Sequence, residues 1–416
     1  MSRIVRINVT GQDKPGLTGD VTSIMAEHGL KILDIDQSVI HGTLVWSTLV
    51  HLPDEEAGTP VLKELLFHCH KMALQMRYQL ITESQYKDWA QTPGKDRYIV
   101  TLMSRCVTAE QVARVSDITA AHGLDIARIA RLSGCVSLDQ DNTNARACVE
   151  FSVQGVPDDL QQMRTAFLQL SSGMDVDIGF QQDTVYRRAR RLVVFDMDST
   201  LIEAEVMDEL AVEAGVGPEV AAITAAAMRG ELDFAGSFRK RLALLKGLDE
   251  EVLEKVAARL KLMEGAERLM VFLKQLGYKT AIVSGGFTCF AEHLQQRLGI
   301  DHIHANTLEI IGGKVTGETK GRIVDASRKA ELLRELADRE GCCHEQVIAV
   351  GDGANDLEML AAAGLGIAFR ARPVVRQSAR QAISTLGLDA ILYLLGWCDA
   401  DLDALSAKIG LSTPVL

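Results

Sequence analysis

Residues 24–35, IMAEHGLKILDI, and residues 118–129, ITAAHGLDIARI, agree at seven of twelve positions, and this repeat constrains the first half of the chain more than any other feature. The matches are Ile24/Ile118, Ala26/Ala120, His28/His122, Gly29/Gly123, Leu30/Leu124, Ile32/Ile126 and Ile35/Ile129. In each copy a helical period runs up to the histidine, glycine stops the helix, and strand-like alternation follows. Apolar segments at 4–9 and 98–103 supply a strand before each helix, and 59–77 and 157–171 supply a later helix. Each copy therefore reads β-α-β-β-α-β, the ferredoxin-like arrangement, over residues 1–90 and 96–183. The tract Thr92-Pro93-Gly94-Lys95-Asp96 is a natural boundary between them. His28 and His122 read as helix C-terminal residues favoured by the helix dipole. His68-Cys69-His70 lies on a helical pattern with Leu65, Leu66 and Met72 and lacks the second ligand pair of a zinc site.

From residue 192 short apolar runs alternate with long helical stretches, the pattern of a parallel sheet covered on both faces. The runs at 192–195, 280–283, 347–350 and 365–369 are the candidate strands of a Rossmann-like α/β core spanning 190–202 and 263–398. The alanine-rich helical stretch 203–262 interrupts the alternation and reads as a cap standing over the sheet. Gly312 and Gly313 mark a hairpin turn rather than a phosphate loop, because the surrounding residues lack the Walker spacing.

Composition narrows the function classes. The 416 residues carry a formal charge of −12, which argues against a nucleic-acid partner. The one basic cluster, Arg187-Arg188-Ala189-Arg190-Arg191, reads as a solvated linker. No apolar run approaches a membrane span, and the opening residues MSRIVRINVT lack the apolar stretch of a signal peptide. Eight scattered cysteines without a CxxC pair read as reduced thiols, so the cytoplasm is the expected location.

In open parallel sheets the active site lies beyond the carboxyl ends of the strands. Three of the four core strands end in reactive residues: Asp196-Met197-Asp198-Ser199-Thr200, Ser284-Gly285-Gly286 and Gly351-Asp352-Gly353-Ala354-Asn355-Asp356. Each alone could be a structural turn. Together they suit phosphoryl transfer. Asp196 can attack phosphorus as a carboxylate, and Asp198 can protonate the leaving oxygen and then activate water, which requires environments that separate their pKa values. Several carboxylates beside a phosphate need a cation, and Asp196, Asp198 and Asp352 are the candidate magnesium ligands. Ser284, the Gly285 amide and Lys329 can bind phosphate oxygens.

DMDST, SGGF, Lys329 and GDGAND, in that order, resemble the four motifs of the haloacid-dehalogenase superfamily, in the DxDxT form of its phosphatases. The resemblance covers about 185–395 and continues through the cap to the phosphoserine phosphatase family, at Glu205, at Met228 in AAAMRGELDF, at Phe234 and at Arg241 in SFRKRLALLKG. It implies that Glu205 faces a substrate ammonium, Arg241 its carboxylate, and Met228 and Phe234 close the pocket, with Thr200 and Asn355 also at the substrate. The first half resembles paired ACT domains, modules that bind amino acids. Asp13, Pro15, Gly16 and Leu17 fall in the family's turn before the first helix and imply an amino-acid effector site, whereas the second copy has Ser104-Arg105-Cys106-Val107-Thr108 there and lacks the Pro-Gly. The reading is thus a magnesium-dependent phosphoserine phosphatase of serine biosynthesis, expected as a homodimer. Two alternatives stand beside it: a phosphatase or phosphotransferase for another small phosphorylated amino acid, and an inactive amino-acid sensor.

Overall fold

The computed structural model describes residues 3–52, 55–91, 96–135 and 145–408, and only the backbone of residues 3, 55–59, 89, 91 and 228. The boundary expected at 92–96 therefore falls, but for Asp96, outside the described residues. The chain divides into two compact units, Met1–Lys95 and Asp96–Leu416.

The first unit is a four-stranded antiparallel sheet of β1 (Arg3–Gln12), β2 (Lys31–Ile40), β3 (Thr43–Leu52) and β4 (Gln75–Ile81) in the order β2-β3-β1-β4. The alternation of β3 decides which face is dry: Leu44, Trp46, Thr48, Val50 and Leu52 are buried, while the residues between them are not. Helices Leu17–Glu27 and Glu55–Lys71 pack on that face through Leu17, Val21, Met25, Val61 and Leu65. Burying each such side chain contributes roughly 1.5–3 kcal/mol. The helix expected over 59–77 ends instead at Lys71, because Ala73 adopts φ 58° and the Leu74 amide turns back to the Cys69 carbonyl at 2.8 Å. The following residues QMRYQLI then form β4 beside β1. Within the His68-Cys69-His70 tract, Cys69 is buried in the core and His70 is exposed.

The second unit holds two sheets. β5 (Arg97–Ser104), β6 (Asp125–Arg131), β7 (Ala147–Gln154) and β8 (Asp177–Gln182) repeat the first topology in the order β6-β7-β5-β8, with helices Ala109–Ala121 and Leu160–Met174. The second copy differs where its sequence does: Thr108 caps its first helix and forms a capping box with Gln111, whereas Gly16 begins the first copy's helix with no side-chain cap.

The larger sheet contains β9 (Leu192–Phe195), β10 (Lys279–Phe287), β11 (His302–Ile311), β12 (Lys314–Lys320), β13 (Val347–Gly351), β14 (Leu365–Phe369) and β15 (Gln381–Ile383) in the order β12-β11-β10-β9-β13-β14-β15. All neighbours are parallel except the β11–β12 hairpin. All four residues of β9 are fully buried, and it lies between β10 and β13. The connections thus leave β9 in opposite directions, which opens a crevice at its carboxyl end. Helices Val206–Glu213, Gly217–Met228, Phe234–Leu244 and Glu250–Arg259 form the cap between β9 and β10.

The arginine tract 187–191 is not a solvated linker. Arg187 is 4% exposed, pairs with Glu150 and donates to the Leu394 carbonyl at 3.2 Å. Arg188 reaches the Gly396 carbonyl at 3.1 Å, and Arg190 the Glu345 carbonyl at 3.1 Å. The short helix Ile391–Leu394 leaves the Leu394 carbonyl without an intrahelical donor at its end, and the Arg187 guanidinium helps to satisfy it. The same contact is reinforced by Asp177, which accepts from the Ser384 and Thr385 amides at 2.8 and 2.7 Å, and by Gln381, which accepts from the Phe180 amide at 2.9 Å.

Candidate active site

The three sequence motifs meet at the carboxyl ends of β9, β10 and β13, around a cavity of about 100 Å³ closed by the cap. Asp196, Asp198, Ser284, Gly285, Asp352 and Asn355 line its floor, and Glu205, Phe234 and Arg241 line it from the cap side. The cap is joined to the core by two adjacent strands of chain: the Glu203 amide donates to the Lys261 carbonyl at 3.0 Å and the Met263 amide to the Leu201 carbonyl at 2.8 Å.

Asp196 follows the last residue of β9 and is 5% exposed. Its carboxylate accepts from the Met197 amide at 2.7 Å and faces the Lys329 Nζ at 2.8 Å. Lys329 is fully buried in helix Ala326–Arg339 and also donates to Asp356 at 2.7 Å. Burial works to lower its pKa, but Asp196 and then Asp356 outweigh that, so the ammonium is held well above its ordinary range.

Asp198 sits differently. Among the described residues its side chain accepts only a long bond from the Val206 amide, 3.3 Å, at the start of the first cap helix. Burial, then Glu205 and Asp196, push its pKa well above the usual carboxylate range. That is the state a general acid needs. Asp352 is pushed up to about 7 and Asp356 to about 6, in both cases by burial first and by Asp196 next.

These shifts express a deficit of positive charge. Oxygens of Asp196, Asp352 and Asp356 lie within 4.8 Å of one another, an all-oxygen donor set that fits a small hard cation. The Asp198 carboxylate, suggested by the sequence as a ligand, accepts from the Val206 amide instead of joining this side-chain cluster, whose third member is Asp356. Sequence reasoning passed over Asp356 although the glycines around it were the signal. A Cβ on Gly351 would lie 2.5 Å from the Asp356 Cγ, so only glycine there admits the carboxylate.

Thr200 does not reach the cavity; fully buried, it donates to Asp352 at 3.2 Å. The side chain of Met228 lies outside the described residues. Ser284 accepts from the Gly286 amide at 3.0 Å, and the loop they form is held by Asn306, which donates to the Gly285 carbonyl at 2.8 Å and accepts from the Val324 amide at 2.9 Å. Asn306 is 2% exposed and carried no motif that could have marked it.

The cap supplies the polar pair. Glu205 accepts from the Ser199 hydroxyl at 2.8 Å, and burial pushes its pKa up. The Arg241 Nε is buried with no hydrogen-bond partner, and burial pulls its pKa down against the pull of Asp208, Glu205 and Asp198. A half-buried guanidinium whose buried Nε lacks a partner is a receptor for an anion. In the first unit, Asp13, Pro15 and Gly16 form an exposed turn, with the Asp13 amide bonded to the Gly42 carbonyl at 2.8 Å, while Leu17 points into the core.

A parallel sheet with a carboxylate on its central strand, a buried lysine, an acidic cluster and a helical cap defines a haloacid-dehalogenase-like hydrolase, and residues 190–364 match the model of that family. Residues 3–79 match the ACT domain. The chain is 41% identical over 398 residues to a phosphoserine phosphatase of Streptomyces coelicolor, covering 96% of this chain and 93% of the relative. It is 38% identical over 404 residues to a phosphoserine phosphatase of Mycobacterium tuberculosis, covering 97% and 95%. The crystal structure of a probable phosphoserine phosphatase from Vibrio cholerae aligns over 75% of this chain and 89% of that one, at 33% identity and a TM-score of 0.56. The chain belongs to the phosphoserine phosphatase family of these hydrolases.

Proposed function

We propose that the protein hydrolyses O-phospho-L-serine to L-serine and phosphate, the last step of serine biosynthesis, through a phospho-Asp196 intermediate. The observation that carries the substrate is Arg241: a half-buried guanidinium with a buried, unpartnered Nε, on a cavity of about 100 Å³ that Glu205 and Asp196 also line. Arg241 receives the substrate carboxylate, Glu205 its ammonium, and the Phe234 ring helps to exclude water.

The Asp196 carboxylate attacks phosphorus, and the bond from phosphorus to the serine oxygen breaks. Asp198 gives its proton to that oxygen, so serine leaves neutral at the hydroxyl. Water then attacks the aspartyl phosphate, Asp198 takes the proton back, and the phosphorus–Asp196 bond breaks to release phosphate. Ser284 and the Gly285 amide bind the phosphate oxygens, with Asn355 beside them, and Lys329 holds Asp196 in place. Asp196, Asp352 and Asp356 would hold a magnesium ion, which would supply the positive charge that lets a phosphate dianion approach these carboxylates.

Phosphate release from a panel of phosphorylated metabolites, with magnesium and with a chelator, tests the reading. Phosphoserine should be preferred, the chelator should stop turnover, and Asp196→Asn should remove it. Release from other substrates but not from phosphoserine would keep Asp196 and overturn the roles of Glu205 and Arg241.

The turn of Asp13, Pro15, Gly16 and Leu17 is the proposed site of an amino-acid effector, since Gly16 leaves the helix amides without a side-chain cap. A homodimer is proposed from β2, an edge strand with Ile35, Val39 and Ile40 exposed. Light scattering of the full chain with and without an amino-acid panel reads both; a monomer indifferent to every amino acid would sink both. No helix among the described residues is long and apolar enough to cross a membrane. The eight cysteines are free, which fits the cytoplasm; exclusive recovery from the extracellular fraction would contradict it.

A further inference from the structure

The second unit holds a concavity larger than the catalytic one. A cavity of about 760 Å³ lies between helix Leu160–Met174 and β8 on one side and residues 373–384 of the phosphatase core on the other. That is within the range of small-molecule sites, roughly 300–1,000 Å³. It uses no residue of the catalytic cavity and none of the 104–108 turn.

Three arginines line it: Arg164 from helix Leu160–Met174, Arg376 from helix Pro373–Ser378, and Arg380 just before β15. Among the described residues none of the three side chains has an ion pair or hydrogen bond, unlike Arg187, Arg188 and Arg190 nearby in sequence to the core. The Arg164 Nε is buried without a partner. Burial first, and then the Arg380 guanidinium, hold the Arg164 pKa below its ordinary value, so the two cations are close enough to repel. One carboxylate lines the cavity, Asp177, and both its oxygens are committed to the Ser384 and Thr385 amides. Phe167, Ile178 and Phe180 supply an apolar wall.

In a chain of net charge −12, three guanidinium groups gathered on one cavity, Arg164 and Arg376 half-buried and Arg380 exposed, with its one carboxylate already committed to amides, make a lining that suits an anion. Guanidinium forks suit phosphate and carboxylate groups, which each can take two parallel bonds. We propose that this interdomain cavity is a binding site for a small polyanion, a metabolite carrying two or more phosphate or carboxylate groups, held by Arg164, Arg376 and Arg380. Such an occupant touches both the second ACT-like domain and the core, and so strengthens their contact.

Calorimetric titration of the full, metal-free chain with pyrophosphate and, separately, with citrate tests this. Removing metal keeps pyrophosphate free and leaves the catalytic carboxylates without their cation. One site is expected for at least one probe, and which one binds distinguishes phosphate from carboxylate recognition. Arg164→Gln with Arg380→Gln should weaken binding by about tenfold or more, about 1.4 kcal/mol. Arg376→Gln alone should weaken it severalfold, and Ser284→Ala should leave it unchanged. Phosphoserine turnover at the wild-type level certifies that the arginine variants fold. No heat with either probe at millimolar concentration, binding that survives loss of the arginines, or binding lost in Ser284→Ala would overturn the proposal.

Discussion

Asp196 and Asp198 are the same residue type two positions apart, and their surroundings divide the chemistry between them. Asp196 has the Lys329 ammonium and the Met197 amide against its oxygens. Asp198 has no ion pair among the described residues, and its pKa is raised by burial first and by Glu205 next. A general acid must enter the first step protonated, so kcat/KM should fall as pH rises through the raised Asp198 pKa. Asp198→Asn should abolish that alkaline limb and slow phosphoserine turnover by about 10²–10⁴-fold. With p-nitrophenyl phosphate, whose leaving group needs no proton, the variant should still give a burst of nitrophenol and then stall as phospho-enzyme. A linear trace without a burst, at wild-type rate, would remove Asp198 from both steps. Asp196, Asp198 and Asp352 could be read from strand-end spacing alone. Asn306 could not, because its role depends on a carbonyl brought to it by β10 and an amide from 324.

At the scale of elements, legibility follows burial. The limits of β9 and β14 coincide with the apolar runs because a strand buried on both faces has no polar residue to blur its ends. The end of helix Glu55–Lys71 was hidden because Ala73, not glycine, takes the positive φ. The arginine tract was misjudged because the partner carbonyls lie some two hundred residues away. β10 was expected to stop at 283 but continues through Ser284-Gly285-Gly286 to Phe287, with an irregular register that aims the loop at Asp198. Gly286 makes this approach possible: an added Cβ would lie 2.5 Å from the Met197 Cε and 2.9 Å from the Asp198 Oδ2. Gly286→Ala should therefore displace the acid by a fraction of an ångström. An expected loss of about 10²-fold in kcat, with a melting temperature little changed, follows from misplaced reacting groups. Equal kcat would show that the loop yields without moving Asp198.

Within the compact second unit, the second ACT-like domain is fastened to the core by ion pairs, two of them largely out of water and the Arg105–Glu264 pair partly exposed. Arg146 with Asp389 and Arg105 with Glu264 cross from the second ACT-like domain to the core, and Arg187, in the connection between them, pairs with Glu150 and donates to the Leu394 carbonyl. Asp389 is 2% exposed and keeps Arg268 as a second partner, at 2.8 Å, while Glu264 also binds Arg370 at 2.6 Å, so the domain reaches the segment where the cap rejoins the core. Removing one partner of a buried pair costs about 3–5 kcal/mol, because the other charge stays buried without compensation. A chain beginning at residue 184 keeps every catalytic residue but loses Glu150, Arg146, Arg105 and Asp177, and uncovers Leu394, which is fully buried. Compared with a chain beginning at residue 96, it should melt on the order of 10 °C lower, at about 2–4 °C for each kcal/mol lost in a body of this size. Its phosphoserine turnover per folded molecule should survive, since the catalytic cavity is built from β9, β10, β13 and the cap. Equal melting of the two truncated chains would mean that the domain rests on the core without stabilising it, and that the buried pairs carry no net energy.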